Sequence, residues 1–236
     1  MRRNSLSFAT LAVIAVFVST TPVRAQATDS DSAKMWRPGW LHQNELAGSS
    51  GEVWMALCRT EKGFELVETA VAVVDTPGGM LETDRYVRVN RQSETLWLFR
   101  GIPALKEGPV LALFSGRNQM DEGQELVLSA RTDLTDFYNL YAMGERDGGT
   151  VRDYHLQLVH ASTDRMTELI EERKAMDPES CPTLLWAGDL DRDGRLDRVV
   201  DMAHGYNSTV LTLYLSSAAG FHQLVKKVAS ISLIGC

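Results

Sequence analysis

Long hydrophobic runs are nearly absent from this chain of 236 residues. The single one, Leu6 to Val18, is shorter than the roughly 20 apolar residues that a membrane span needs, and nothing later in the sequence approaches it. Clusters of lysine and arginine are absent as well, which argues against nucleic acid or an anionic membrane as a partner. Neither a His-Glu-x-x-His zinc motif nor a Gly-x-Ser-x-Gly nucleophile elbow occurs. Cysteine is scarce at three residues: Cys58, Cys181 and Cys236. That is too few for a disulfide-framed miniprotein, so a core has to hold the fold.

What is present begins with an export signature. Arg2 and Arg3 precede the apolar run, and Val23-Arg24-Ala25 puts small residues at the usual cleavage positions. Residues 1–25 are therefore expected to be a removed signal peptide, and the protein to be periplasmic or secreted, with no transmembrane segment after cleavage. The whole chain has 24 basic and 31 acidic residues. Cleavage removes Arg2, Arg3 and Arg24 and no acid, leaving 21 against 31, a formal charge of −10. In an oxidising compartment two of the three cysteines are expected to pair. All three pairings are open. Cys181–Cys236 is favoured because both residues sit at the edges of patterned segments. Such a bridge would close a loop of about 55 residues and contribute roughly 4 kcal/mol.

Residues 26–35 are small and polar, and 26–50 reads as a flexible mature N-terminus. From there to residue 236 the chain is a series of short apolar or alternating runs parted by turn residues. The runs are Glu52–Arg59, Phe64–Asp75, Arg85–Asn90, Thr95–Arg100, Val110–Phe114 and Glu125–Ala130, then Tyr138–Met143, Tyr154–His160, Thr183–Gly188, Arg198–Met202, Val210–Leu215 and Leu224–Ile234. Many short β-branched runs at this spacing predict a mainly β domain over 51–236. Its sheets should be antiparallel, arranged as a sandwich or meander, with at most one or two short helices. One segment, 166–176, is made of good helix formers stopped by Asp177-Pro178, yet it follows a strand and a polar turn as the second arm of a hairpin does. Helix and strand both remain open there.

The chemistry concentrates in Asp189-Leu190-Asp191-Arg192-Asp193-Gly194-Arg195-Leu196-Asp197. Ca²⁺ is a hard cation that takes six to eight oxygens, and carboxylates on alternate residues of a tight loop supply them. Asp189, Asp191 and Asp193 take positions 1, 3 and 5, and Gly194 permits the turn. The Arg195 carbonyl falls at position 7 and Asp197 at position 9. Carboxylates crowded this closely repel one another unless a cation neutralises them. An EF-hand would carry Glu at position 12, where this chain has Val200. With β-branched or apolar runs on both sides, the loop is expected to join two strands.

That arrangement resembles the calcium loops of integrin-alpha-type FG-GAP repeats, which run D-x-D-x-D-G-x-x-D between strands. The resemblance covers about 13 residues and implies one Ca²⁺ held by Asp189, Asp191, Asp193, the Arg195 carbonyl and Asp197. It departs from the family in having a single copy and no Phe-Gly/Gly-Ala-Pro signature. The stretch Trp186–Cys236 also resembles a group of uncharacterised bacterial exported proteins. The shared features there are His204-Gly205-Tyr206-Asn207, Leu215-Ser216-Ser217 and the final Cys236; they imply no activity.

Other candidates are weaker. Asp201, His204 and Asn207 follow the loop, and a histidine beside a carboxylate can act as a general base. A hydrogen-bonded turn, with Asp201 supporting the calcium shell, is the plainer use. His155 and His160 are five apart, so on a strand they face opposite sides. Trp36, Trp40, Trp54, Phe137, Tyr138 and Tyr141 are expected mostly in the core, with a carbohydrate- or peptide-stacking surface as the alternative. The sequence thus points to a non-enzymatic, calcium-stabilised exported module of unknown partner. A periplasmic hydrolase with a site near Asp201 and His204 is the second reading.

Overall fold

A computed structural model of the chain describes residues 32–42, 45–75, 85–90, 93–129, 137–161, 166–205 and 207–234. The expected signal peptide, residues 1–25, lies outside them, as does Cys236. The described chain is built of fifteen antiparallel strands with one short 3-10 turn at Pro178–Ser180. The strands are β1 (Lys34–Trp36), β2 (Gly39–Leu41), β3 (Val53–Thr60), β4 (Gly63–Asp75), β5 (Arg85–Val89), β6 (Glu94–Arg100), β7 (Gly108–Gln119) and β8 (Glu125–Leu128). They continue with β9 (Phe137–Asp147), β10 (Thr150–Ala161), β11 (Met166–Met176), β12 (Thr183–Asp189), β13 (Asp197–Asp201), β14 (Ser208–Leu215) and β15 (Lys226–Ile234).

Eleven strands form one sheet in the order β1-β6-β3-β4-β7-β12-β13-β14-β15, with β5 and then β2 branching from the far half of β4. The sheet curls until β1 lies beside β15, so it is a nearly closed barrel. The remaining four strands make a second sheet, β11-β10-β9-β8. The mainly β, antiparallel expectation holds, and the meander takes the form of a curled sheet with a smaller sheet laid against it. Segment 166–176 is a strand: β11 pairs along its length with β10, from Val151↔Met176 to His160↔Met166. The strands β1 and β2 lie inside the stretch 26–50 that was expected to be flexible. Met35 and Trp36 are buried there, and β1 pairs with β6, so the folded domain reaches back to residue 34.

Two cores follow from this layout. The barrel interior holds Trp36, Trp54, Leu57, Leu98, Phe99, Trp186, Val199 and Leu213. The layer between the sheets holds Leu140, Tyr154, Leu156 and Leu158 from the smaller sheet against Leu184, Ala187, Leu196, Val200 and Tyr214 from the barrel wall. The central strands β12–β14 serve both cores, one on each face. That is why they read as continuous apolar runs rather than alternating ones. Within β12 the alternation breaks: Leu185 and Trp186 both enter the barrel core, at a break in register between Leu184 and Trp186. A β-bulge does this by opposing two residues to one.

Of the six aromatics considered above, Trp36 and Trp54 are core residues with ring centroids 5.3 Å apart. Trp40 is half-exposed and edge-on to Tyr86. Cys58 and Cys181 are buried free thiols in different cores. No disulfide joins the described residues, and the favoured partner Cys236 falls outside them. Burial pushes the Cys181 thiol up to about 11, which keeps it protonated and unreactive.

Candidate metal centre

The acidic loop closes the β12–β13 hairpin, as expected: Asp189 ends one strand and Asp197 begins the next. Its position is set one residue earlier. Gly188 pairs with Asp197 across the hairpin and with Ala112 of β7, and a Cβ there would sit 2.1 Å from the Leu111 carbonyl oxygen. Only glycine allows β7 to approach that closely. Within the loop Arg192 and Gly194 have left-handed backbones, φ 63° and 83°, and short polar side chains around them bond the neighbouring amides as Asx turns do. The Gly194 amide donates to Asp189 Oδ2 (3.0 Å), the Asp193 amide to Asp191 Oδ1 (3.3 Å) and the Arg195 amide to Asp193 Oδ1 (2.9 Å). Arg192 reaches out of the loop and donates to the Glu107 and Lys106 carbonyls, tying it to the segment before β7.

Three carboxylates converge. Asp189, Asp191 and Asp197 each offer an oxygen within 4.8 Å of the others. Asp193, expected as the fourth, stands outside this group. Its Oδ2 accepts from Arg195 Nε (3.0 Å) and Nη2 (2.7 Å), so a salt bridge two residues away holds it aside. Asp197 is the organising residue. It is wholly buried, accepts from the Leu190 and Asp191 amides on Oδ2, and from the Ser216 amide and hydroxyl on Oδ1.

Sequence reasoning gave Ser216 and Ser217 no role at the site, yet they border it. The Ser216 hydroxyl also lies 3.0 and 2.9 Å from the two Asp193 oxygens, and the Ser217 hydroxyl donates to Asp191 Oδ2. The only local signal was a pair of small hydroxyl residues at the end of an apolar strand.

The electrostatics suit a cation. Burial, and then the charge of Asp191, push the Asp197 carboxyl up to about 7 despite its four hydrogen bonds. Asp191 is raised for the same first cause, with Asp193 and Asp189 adding to it. Asp189 Oδ1 is buried and accepts no hydrogen bond among the described residues. A buried carboxylate oxygen without a donor is costly, and a positive ion beside it removes the cost. The donor set is all oxygen, which is the chemistry of a hard cation such as Ca²⁺ or Mg²⁺ rather than of a thiolate- or imidazole-seeking metal.

The other candidates sit elsewhere. Asp201, at the opposite end of β13, does not join the loop. Its Oδ1 accepts from the Ala203 (3.1 Å) and Val210 (2.8 Å) amides and so holds the turn into β14. His204 is exposed, at the rim of an open surface hollow with Arg173, Lys174 and Asp177. Asn207 is exposed too. His155 faces Glu172 at 3.7 Å, whereas His160 stacks on Tyr138 with centroids 4.3 Å apart, so the two histidines do not converge.

Comparison with models of known protein families, with curated proteins and with solved structures finds no match.

Proposed function

We propose that the loop binds one Ca²⁺ through Asp189, Asp191 and Asp197, and that the ion is structural. The observation carrying this reading is the convergence of three carboxylates around a buried oxygen, Asp189 Oδ1, that has no hydrogen-bond partner among the described residues. Asp193 and Ser216 form the outer support in this reading, because Ser216 bridges Asp193 to Asp197. The ion would fasten the β12–β13 hairpin to the end of β14, which is where Ser216 and Ser217 lie. Together with the signal-like N-terminus, this describes an exported, calcium-braced β protein acting as a non-enzymatic binding or envelope-associated module.

The hydrolase alternative lacks a comparable observation. Asp201 Oδ1 is committed to two backbone amides, and His204 stands exposed on a rim that also carries Arg173 and Lys174.

Calorimetric titration of the chelator-treated protein with CaCl₂ tests the reading. One saturable site is expected, together with a rise in thermal midpoint, since a ligand that binds only the native state stabilises it by about 2.7 kcal/mol at a hundredfold excess over Kd. An unchanged midpoint and no heat of binding would overturn it.

A further inference from the structure

The acidic loop forms one side of a cavity that has played no part so far. The cavity spans about 350 Å³ between the barrel wall and the smaller sheet. Leu111 and Leu113 of β7 supply an apolar wall, and the stacked rings of Tyr138 and His160 stand in the smaller sheet. On the loop side the lining is Asp189, Gly194 and Arg195. An apolar body with a few polar groups gathered at one side is the usual make-up of a small-ligand pocket, and the volume lies within the usual range.

Asp189 belongs to the cavity and to the metal cluster at once. Of the three converging carboxylates it alone lines the cavity. The other two are held from the end of β14: Asp197 accepts from the Ser216 amide and hydroxyl, and Asp191 from the Ser217 hydroxyl. Gly194 brings no side chain to the wall, and the place a Cβ would take there is empty. Ca²⁺ takes six to eight oxygens, so one from each carboxylate leaves its shell incomplete. With the end of β14 covering one side of the cluster, the cavity is the side from which a ligand oxygen can arrive.

Charge decides what kind of oxygen that is. The three carboxylates already outnumber the two charges of the ion. Arg195 offers no compensation, because its guanidinium is committed to Asp193. A further anion would be repelled, whereas a neutral hydroxyl would not. Resting on the calcium reading above, we propose that this cavity binds a neutral amphiphile with a hydroxylated head. Its apolar body lies against Leu111 and Leu113, and two neighbouring hydroxyls complete the coordination of the ion. Binding of ion and ligand is then coupled, and the coupling is reciprocal.

The probe is 1,2-octanediol, titrated by calorimetry in saturating CaCl₂ and again in excess EGTA, with octanoate as the anionic control and calcium alone titrated first. The diol is expected to bind saturably and about tenfold more tightly with calcium than without, and to tighten calcium binding by the same factor. Octanoate is expected to bind more weakly than the diol in CaCl₂. Leu111→Gln alters a half-exposed side chain outside the loop. It is expected to weaken diol binding and to leave the titration with calcium alone unchanged. Calcium binding combined with equal diol affinity in the two buffers would overturn this assignment and leave the calcium site standing, whereas absence of calcium binding would overturn both. Octanoate binding as tightly as the diol, or diol binding untouched by Leu111→Gln, would overturn the assignment as well.

Discussion

The two ends of β13 carry one buried aspartate each, and the contrast between them separates scaffold from site. Asp201 accepts from two backbone amides on one oxygen and is not part of the converging carboxylate group among the described residues. Asp197 has more hydrogen bonds, yet its carboxyl is driven up to about 7 by burial and by Asp191. Hydrogen bonding alone therefore does not tell a structural carboxylate from one prepared for a cation. What differs is the company of like charge. In the proposed reading, the loop end of the strand holds a repulsion between carboxylates that a cation would relieve.

Four outcomes would sharpen or break that contrast. The largest effect is expected from Gly188→Ala, which places a methyl against the Leu111 carbonyl where the loop end of the hairpin crosses β7. Overpacking of this kind costs about 3 kcal/mol and should lower the denaturation midpoint with and without calcium. Next, in calcium-free buffer at pH 8, Asp201→Asn should change stability by less than about 1 kcal/mol, because the Ala203 and Val210 amides donate to one oxygen that the asparagine carbonyl still supplies. Asp197→Asn removes a like charge beside Asp191 but sets an NH₂ group against amide donors, since both Asp197 oxygens accept from backbone amides. It should abolish any calcium-dependent rise in the thermal midpoint, which Asp201→Asn should keep. Loss of that rise at both positions would break the comparison.

A smaller effect is expected from pH. Asp197 binds its proton more tightly in the folded than in the unfolded chain, so its contribution to stability is complete below its ordinary value of 3.8. That contribution is lost as pH rises through about 7. Calcium-free protein should therefore weaken between those limits in chemical denaturation, and Asp197→Asn should flatten the slope. Saturating Ca²⁺ should flatten it too, because the ion favours the ionised form. The smallest effect is expected from Asp193→Asn, whose side chain is held by Arg195 and Ser216 outside the converging group. It should weaken calcium binding by less than Asp189→Asn does, as measured by calorimetry.

Much of this was legible in the sequence because β-branched runs and turn residues act locally. All but the two shortest strands fall on patterned runs, apart from 166–176. There Met, Glu, Arg, Lys and Ala favour a helix in isolation, and pairing with β10 overrode them, as context routinely overrides propensity. β1 was hidden because its three residues are too few to show a period; its burial comes from β6, far along the chain. In the site, the 1-3-5-9 spacing placed the acids in one loop correctly. It did not show that Arg195 would hold Asp193 aside, or that Ser216, 19 residues beyond Asp197, would complete the cradle. Both depend on where side chains turn after the strands have paired.

The near-closure of the barrel has a kinetic consequence. The segment after β2 is tied to the end of β15 by Glu45, which accepts from the Ile234 amide across 189 residues of sequence and from the nearby His42 amide at 2.8 Å. A contact of that span adds heavily to contact order, and such contacts slow folding. Until β15 is in place, the edge of β14 presents unpaired backbone to any other strand. The protein's aggregation hazard during biogenesis should therefore lie at this edge, and should be greatest when the last strand is missing or late.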